Sequence, residues 1–239
     1  MKYMGSKARI AKEILPIILK DRLPNQWYVE PFVGGANSIC EVSGNRKGGE
    51  VNPYIAEMWI ELEKGWIPPV VDKELYKLIK SDKGSYPKHL VGWVGICCSY
   101  SGKWFAGYAG VVNTKGGLRD YQAEATANVN KQLPKIKGVK FEHSSYSDLE
   151  IPDNSLIYCD PPYLSTTKYS SEFDHEKFWE WCRDKVKSGH VVFVSEYNAP
   201  DDFECVWEKK VKSSLSANGK CGSSKDSVER LFIHKSQCN

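Results

Sequence analysis

Short apolar runs alternate with polar, helix-like segments in residues 139–239, and this alternation constrains the fold more than any other feature. The segments that predict strands, each with an apolar stretch, are GVKFEHSS, SLIYC, HVVFVSEY, FECVWEKKVK and VERLFIHK. Between the second and third runs, DHEKFWEWCRDKVKSG has acids at its start and a glycine after its end, which is typical of a helix. Strands that alternate with helices favour an α/β fold with a mostly parallel, covered sheet.

The first half of the chain has the same character with a longer interruption. A helix is predicted for residues 6–19, ending early or kinking at Pro16. QWYVEPFVGG predicts a strand that runs into a glycine turn, and ANSICEVSG predicts a helix after it. EVNPYIAEMWIELEKG predicts a strand end and a helix, and VDKELYKLIKS and DYQAEATANVNKQL predict two more. Residues 92–117, rich in glycine and aromatic side chains, are predicted to be loop.

Two of the predicted strands end in motifs that could bind a ligand. Ligands bind open α/β sheets beyond the carboxyl ends of the strands, so EPFVGG and DPPY are predicted on one side of one sheet. Gly34 and Gly35 would let the backbone approach a ligand, and the predicted helix after them would offer free amide groups. The alternative is an ordinary glycine turn between a strand and a helix.

DPPY carries the sharpest chemical signal. The Asp160 carboxylate and a backbone carbonyl of the proline elbow could accept two hydrogen bonds from one amino group. Tyr163 could stack on a flat ring. The elbow therefore suits a planar amine, with a strand-ending turn and a buried tyrosine as the alternative. Glu50, at the end of the next predicted strand, could accept hydrogen bonds from ribose hydroxyls, or could simply be a solvated glutamate.

Composition narrows the class of protein. The chain of 239 residues has no apolar run of membrane-spanning length and no secretory signal at its start, so we expect a cytoplasmic protein without a membrane partner. Eight scattered cysteines are expected to be reduced and mostly buried, and five histidines without ligand spacing predict no metal site. Residues 64–138 hold 12 Lys and Arg against 5 Asp and Glu, which suits a surface facing phosphates or a solvated lysine-rich face.

The motif order resembles a known enzyme family. EPFVGG followed by DPPY is similar to the Dam-type DNA adenine methyltransferases, and four further segments look like that family's motifs: KYMGSKARI, SYSDL, VFVSEY and SSLSANGKCGSSKDSVERLF. The resemblance covers nearly the whole chain and is weakest in residues 65–85. It implies a Rossmann-like class I methyltransferase fold, with residues 1–63 and 139–239 as the catalytic domain and residues 64–138 as an inserted target-recognition region.

The resemblance also implies a cofactor, S-adenosylmethionine, and a substrate, double-stranded DNA. Tyr3 and Lys7 would help to hold the cofactor, Glu50 would bind its ribose, and the remaining cofactor residues would be Pro31, Phe32, Gly34, Gly35, Ser145, Tyr146 and Asp160. The target adenine, flipped out of the duplex, would be held by Asp160, Pro161, Pro162 and Tyr163. This chain departs from the family in having Glu rather than Asp at position 50, RKGG before it, and no acid at position 145.

The recognition region is expected in residues 92–110, where the family has a similar aromatic and glycine-rich segment. Its candidate DNA-binding residues are Tyr100, Lys103, Trp104 and Tyr108. Trp93, Trp104 and Phe105 could instead be core aromatics, and for Trp93 this is the favoured interpretation. Three alternative functions stay open: adenine methylation in RNA, amino methylation of cytosine, and a non-catalytic DNA-binding relic. No obligate protein partner is inferred.

Overall fold

A computed structural model describes residues 1–114, 116–163, 173–212 and 226–238. Its helices are α1 (Ala11–Ile18), α2 (Pro53–Lys64), α3 (Lys73–Ser81), α4 (Lys88–Ile96), α5 (Tyr121–Ile136) and α6 (His175–Lys187). Its strands are β1 (Tyr28–Glu30), β2 (Arg46–Glu50), β3 (Val111–Thr114), β4 (Gly117–Asp120), β5 (Val139–His143), β6 (Leu156–Cys159), β7 (Val191–Glu196), β8 (Phe203–Lys212) and β9 (Asp226–His234).

In the described residues, seven strands form one sheet in the order β5-β2-β1-β6-β7-β9-β8, and β3 and β4 form a separate hairpin. The first five strands of the sheet are parallel, whereas β9 is antiparallel to both β7 and β8. This arrangement is the Rossmann-like class I methyltransferase fold and confirms the predicted fold class. The strands predicted in residues 139–239 and the helix that α6 represents are also confirmed.

Helices cover both faces of the sheet, because alternate strand residues enter two different apolar clusters. Tyr28, Leu156 and Tyr158 pack with α1, α2, α4 and α5 on one face. Val29 and Ile157, their neighbours along the same strands, pack with α6 on the other. This alternation follows from the two-residue period of a strand and explains why these strands are apolar throughout.

Strand β2 shows how the polar sequence RKGGE can be buried in the middle of a sheet. The Arg46 guanidinium donates hydrogen bonds to the carbonyl oxygens of Lys135 (2.5 Å) and Lys137 (2.7 Å), so its buried N–H groups have acceptors. The Lys47 ammonium lies 2.8 Å from a Glu142 carboxylate oxygen. Gly48 and Gly49 leave space for the side chains that pack over them, Val33 and Leu149.

Two predictions of local structure were wrong. ANSICEVSG forms only a three-residue 3-10 turn, Ile39–Glu41, because the chain bends at Ala36 (φ 51°) and again at Gly44 (φ 79°) and leaves no length for an α-helix. The predicted loop in residues 92–117 contains the second half of α4, all of β3 and the first residue of β4. The glycines of α4 serve close helix packing rather than flexibility: a Cβ on Gly92 would lie 2.1 Å from the Tyr54 carbonyl oxygen in α2.

The N-terminal helix also differs from its prediction. A 3-10 turn at Lys7–Arg9 precedes α1, and the α-helix continues past Pro16 to Ile18. The insertion contributes to the same core as the sheet: Trp93 from α4 and Ile136 from α5 belong to the cluster that contains Tyr28. The division of the chain at residues 64 and 138 stays a prediction.

Within the described ranges, none of the helices is both long and apolar enough to cross a membrane. The seven cysteines among the described residues are free, and five of them are buried, namely Cys40, Cys97, Cys98, Cys159 and Cys182. Cys221 and most of the motif SSLSANGKCGSSKD, residues 213–225, lie outside the described residues.

Candidate active site at the carboxyl ends of the strands

The two ligand motifs lie side by side. Strands β1 and β6 are parallel neighbours, with Tyr28 opposite Leu156 and Val29 opposite Ile157. The segments that follow them, which begin at Pro31 and Asp160, therefore leave the sheet at the same edge. β2 and β5 end at this edge too, so the site can draw on four strand ends.

The glycine turn after β1 is held in place by its neighbours. The amide N–H of Gly34 donates to Glu50 Oε2 at 3.1 Å, and the Trp59 indole N–H donates to the Gly34 carbonyl oxygen at 2.8 Å. Gly34 has a φ of 45°, in the left-handed region that favours glycine. The turn is thus tied to the end of β2 and to α2 rather than to a following α-helix.

The N-terminal segment covers this turn. A Cβ built on Gly34 would lie 2.8 Å from the Tyr3 ring, and one on Gly35 would lie 2.7 Å from Tyr3 Cβ. The Asn37 side chain donates hydrogen bonds to the Met1 carbonyl oxygen (3.2 Å) and to Ser6 Oγ (2.8 Å). Hydrogen atoms in place of side chains at both glycines therefore allow Tyr3 to pack directly on the turn.

Glu50 is buried at the end of β2. Its carboxylate accepts hydrogen bonds from the backbone N–H groups of Gly34, at 3.1 Å, and Asn52, at 2.9 Å. Burial raises the pKa of Glu50 to about 7, although the two backbone donors oppose the shift. The solvated-glutamate alternative is therefore wrong for this residue.

Three aromatic side chains pack together at the turn: Phe32 from the turn itself, Tyr146 from the segment after β5, and Phe178 from α6. The rings of Phe32 and Tyr146 are stacked, with centroids 5.4 Å apart and planes 26° apart, and Phe178 meets both rings edge-on. The Ser145 hydroxyl donates a 2.6 Å hydrogen bond to Asp148 Oδ2 at the start of a turn. Asp148, which the motif comparison did not select, supplies an acid beside position 145.

Asp160 lies at the end of β6 in contact with Lys7. The Lys7 ammonium is 3.2 Å from Asp160 Oδ1 and also 3.2 Å from Glu229 Oε2, and Lys7 is 9% exposed. Burial raises the pKa of Asp160 to about 6, and Lys7 limits this rise. Burial alone would lower the pKa of Lys7, but the two carboxylates outweigh it and the pKa is raised. Lys7 and Asp160 are thus both charged near neutral pH.

Tyr163 is buried beneath Lys7. Its hydroxyl donates a 2.8 Å hydrogen bond to Glu229, and the Lys7 ammonium lies 4.2 Å from the ring centroid. Tyr197 packs edge-on against the same ring at 4.5 Å. Pro161 is buried as well, and Pro162 is half-buried. The elbow is therefore rigid, and Lys7 belongs to it rather than to the glycine turn.

Glu30 is a buried acid that sequence reasoning missed, although it is the first residue of the motif EPFVGG. The Tyr28 hydroxyl donates a 2.8 Å hydrogen bond to its carboxyl group. Burial raises the pKa of Glu30 to about 8; the Tyr28 hydrogen bond opposes the shift, and the nearby Asp160 charge adds to it. Glu30 is thus mostly protonated at pH 7 and adds little negative charge beside Asp160.

A type II methyltransferase is similar to this chain. The match, M.FokI of Planomicrobium okeanokoites, is 25% identical over 209 residues and covers 77% of this chain but 31% of that protein. This chain therefore spans only about a third of its curated relative. No protein-family model matches the chain.

Two solved structures resemble the fold at low scores. One is the tRNA (m1A58) methyltransferase TrmI from Aquifex aeolicus, with a TM-score of 0.38, 13% identity, and coverage of 93% of this chain and 68% of that one. The other is SMU.472, a putative methyltransferase complexed with SAH, with a TM-score of 0.40, 12% identity, and coverage of 95% and 52%. Scores this low say nothing about the activity of the present chain.

The candidate recognition residues divide into exposed and packed ones. Tyr100 is 61% exposed and Lys103 is half-buried. Trp104 is half-buried and stacks on Tyr54 with centroids 5.7 Å apart, whereas the Tyr108 hydroxyl donates a 3.0 Å hydrogen bond to the Val71 carbonyl oxygen. Trp104 and Tyr108 therefore have packing contacts of their own, and their role in DNA binding stays a prediction.

The core interpretation of Trp93 and Phe105 is confirmed, since both are buried. The turn that contains Tyr100 touches the N-terminal segment, because a Cβ on Gly102 would lie 2.5 Å from the Lys2 carbonyl oxygen. The turn thus lies beside the segment that covers the glycine turn. Sequence reasoning also missed Glu229 as a site residue, although it lies in the last predicted strand and in the family-like segment SSLSANGKCGSSKDSVERLF.

Proposed function

We propose that this chain is a DNA adenine methyltransferase that transfers a methyl group from S-adenosylmethionine to the exocyclic N6 of a flipped-out adenine. The observation that carries the proposal is the position of the Asp160 carboxylate and its proline elbow directly beside the glycine turn. An amine acceptor and a cofactor loop at adjacent strand ends would bring the two substrates together. The similarity to a type II methyltransferase supports the same reaction class.

The residues around the glycine turn fit the proposed cofactor. Glu50 supplies a buried carboxylate at the end of β2, where ribose hydroxyls can donate to it. Phe32 and Tyr146 supply a flat aromatic surface for the adenine ring. S-adenosylmethionine, when bound, supplies an electrophilic methyl group on its sulfonium. Tyr3 occupies the space over Gly34 and Gly35, so the cofactor would lie against the turn and the Tyr3 side chain together.

Asp160 and the Pro161 carbonyl would act on the target amine. The nitrogen of an adenine amino group is a weak nucleophile because its lone pair is delocalised into the ring. Two hydrogen bonds from its N–H groups to these oxygens favour a more tetrahedral nitrogen and stabilise the positive charge that develops during attack. Asp160 needs only to be ionised, and it is ionised above a pH of about 6.

A base paired inside a duplex must leave the stack to reach Asp160, at a cost of a few kcal/mol. Phosphate contacts from the basic residues 64–138 would offset this cost. Lys103 and Tyr100 are suitable contacts, because their turn adjoins the N-terminal segment that covers the glycine turn.

Transfer of a labelled methyl group tests the proposal. Wild-type protein would be incubated with labelled S-adenosylmethionine and either unmethylated duplex DNA or RNA of matched sequence, and the product would be digested to nucleosides. N6-methyldeoxyadenosine is the expected product. Label in RNA would instead favour the RNA alternative, and N4-methyldeoxycytidine the cytosine alternative. Cofactor binding without any transfer would favour the non-catalytic relic.

Replacing Glu50 with glutamine is expected to weaken cofactor binding by roughly tenfold or more, since hydrogen bonds to a charged group contribute about 1.5–3 kcal/mol. The glutamine amide would also face the Gly34 or Asn52 N–H donor. Isothermal titration calorimetry with S-adenosylhomocysteine measures the affinity. Because the pKa of Glu50 is about 7, wild-type affinity should fall as the pH drops below 7, and the variant should lose this dependence. Glu74→Gln, at an exposed position on α3, is the control and should bind normally.

Replacing Lys103 with alanine is expected to weaken DNA binding and to lower the slope of log K against log salt concentration by about one, the effect of losing one phosphate contact. Fluorescence anisotropy at several salt concentrations measures both quantities. Lys187→Ala, at the far end of α6, removes the same charge away from the site and serves as the control. Equal behaviour of the two variants would place Lys103 on a solvated face.

A further inference from the structure

Lys7 meets the two groups that the proposed function assigns to the target adenine. Its ammonium lies 3.2 Å from Asp160 Oδ1, which would accept a hydrogen bond from the target amine. It also lies 4.2 Å from the centroid of the Tyr163 ring, on which the base would stack. A flipped adenine would need both contacts. The amine site is therefore filled by an amine of the protein itself.

This ammonium cannot simply withdraw into the protein interior without a partner. Lys7 is 9% exposed, and a buried ammonium without a carboxylate or hydrogen-bond acceptors is strongly unfavourable. Glu229 provides a second carboxylate at 3.2 Å, so Lys7 can release Asp160 and remain paired. Lysine suits such a shift, because its charge is compact and its stem has four rotatable bonds.

Glu229 itself is firmly placed. It lies on β9, which pairs with β7 on one side and β8 on the other, opposite Lys209. The Tyr163 hydroxyl also donates to Glu229 Oε2 at 2.8 Å. Glu229 can thus hold both the Tyr163 ring and the displaced Lys7 in fixed positions while the base enters.

We propose that Lys7 is a built-in substitute for the target amine, which occupies Asp160 until a base arrives and is then held by Glu229. This inference rests on the proposed function. Lys7 and the target base compete for one carboxylate, and Glu229 is a positioning residue that sets the balance of this competition. A base that cannot offer two N–H donors and a flat ring fails to displace Lys7, so the device also selects against poor substrates.

The competition makes Lys7→Met and Glu229→Gln act in opposite directions. Without the ammonium, Asp160 is free for the base, and the KM for unmethylated DNA should fall at least threefold. Without the Glu229 charge, Lys7 has Asp160 as its carboxylate partner, and the KM should rise at least threefold. The double variant should match Lys7→Met, because Glu229 then has no ammonium to hold. Glutamine can still accept the Tyr163 hydrogen bond, which keeps that contact constant.

The kinetics are measured at pH 8.5, where Asp160 stays ionised without Lys7, and thermal unfolding confirms that each variant is folded. A merely structural role would raise the KM in both single variants or lower kcat alone, and either result would overturn the proposal. Lys7→Arg keeps the positive charge. In a Lys7→Arg background, Glu229→Gln should therefore raise the KM again, as it does when Lys7 is present. Failure of the double variant to follow Lys7→Met would also overturn it.

A substrate-free measurement separates this proposal from the proposed function. The groups that face Asp160 are Lys7, Glu229, Glu30, Tyr158, Cys159 and Tyr163. Carbon-13 NMR of labelled aspartate should show the pKa of Asp160 rising by at least one unit in Lys7→Met, since its only cation in this set is lost. An unchanged pKa would mean that Lys7 does not occupy Asp160 in solution and would overturn the proposal. A wild-type protein that methylates no DNA would contradict the proposed function alone.

Discussion

Replacing Asp160 with alanine is expected to lower the rate of methyl transfer by roughly 10²–10³-fold, the usual cost of removing one group that stabilises developing charge. The variant loses the carboxylate that would accept a hydrogen bond from the target amine, while Glu50, Phe32 and the glycine turn keep their places. Affinity for S-adenosylhomocysteine should therefore change by less than about threefold, roughly 0.7 kcal/mol. Single-turnover transfer and calorimetry measure the two effects.

Two variants control this experiment. Asp160→Asn keeps one acceptor oxygen but loses the charge, so it should retain more activity than the alanine variant. Asp153→Ala removes an exposed aspartate from the loop before β6 and should be fully active. Loss of cofactor binding together with activity in Asp160→Ala would contradict the assignment of Asp160 to the amine.

Replacing Gly92 with alanine is expected to destabilise the protein by about 1–3 kcal/mol, the usual cost of overpacking. An alanine in a helix normally stabilises it by about 1 kcal/mol relative to glycine, so intrinsic propensity predicts the opposite sign. The added Cβ would lie 2.1 Å from the Tyr54 carbonyl oxygen, and this atom belongs to the backbone of α2 and cannot rotate away. Urea unfolding followed by circular dichroism measures the change.

Gly84→Ala is the matched control for this prediction. A Cβ there would meet only Asp82 Oδ1, at 3.7 Å, an ordinary contact at the surface. Its effect should stay within about 0.5 kcal/mol. If Gly92→Ala proved as stable as the wild type, α4 and α2 would have to lie farther apart than the structure shows.

The strands of residues 139–239 and most helices could be predicted because their causes are local. β6 and β7 have runs of apolar residues that fit strands buried on both faces. α6 is capped by Asp174, whose side chain accepts a hydrogen bond from the Lys177 N–H. α4 could not be predicted, because Gly92 and Gly95 have the composition of a loop. These glycines permit close packing against α2 at Gly92 and against Trp104 at Gly95. The local sequence does not show that either neighbour lies there.

The sequence predicted the main carboxylates of the candidate site but not the contacts between distant parts of the chain. Motif order pointed to Asp160 and Glu50, and adjacent parallel strands bring their loops to one edge of the sheet. The contact of Lys7 with Asp160 and Glu229 could not be predicted, since it joins three distant parts of the chain. Lys7 was assigned to the cofactor from a motif, and a motif does not say towards which neighbour a long side chain turns.

The order of strands in the sheet has a consequence for how the chain folds. β9 lies between β7 and β8 although it follows both in the sequence. The edge of β7 therefore stays unpaired until β9 has been synthesised. β9 also brings Glu229 to Lys7 and Tyr163, which makes the completed site one of the most non-local contacts in the protein. Such contacts form late because a long loop must close first. While β9 is still inside the ribosome, the growing chain therefore has both an unpaired edge on β7 and an incomplete amine site.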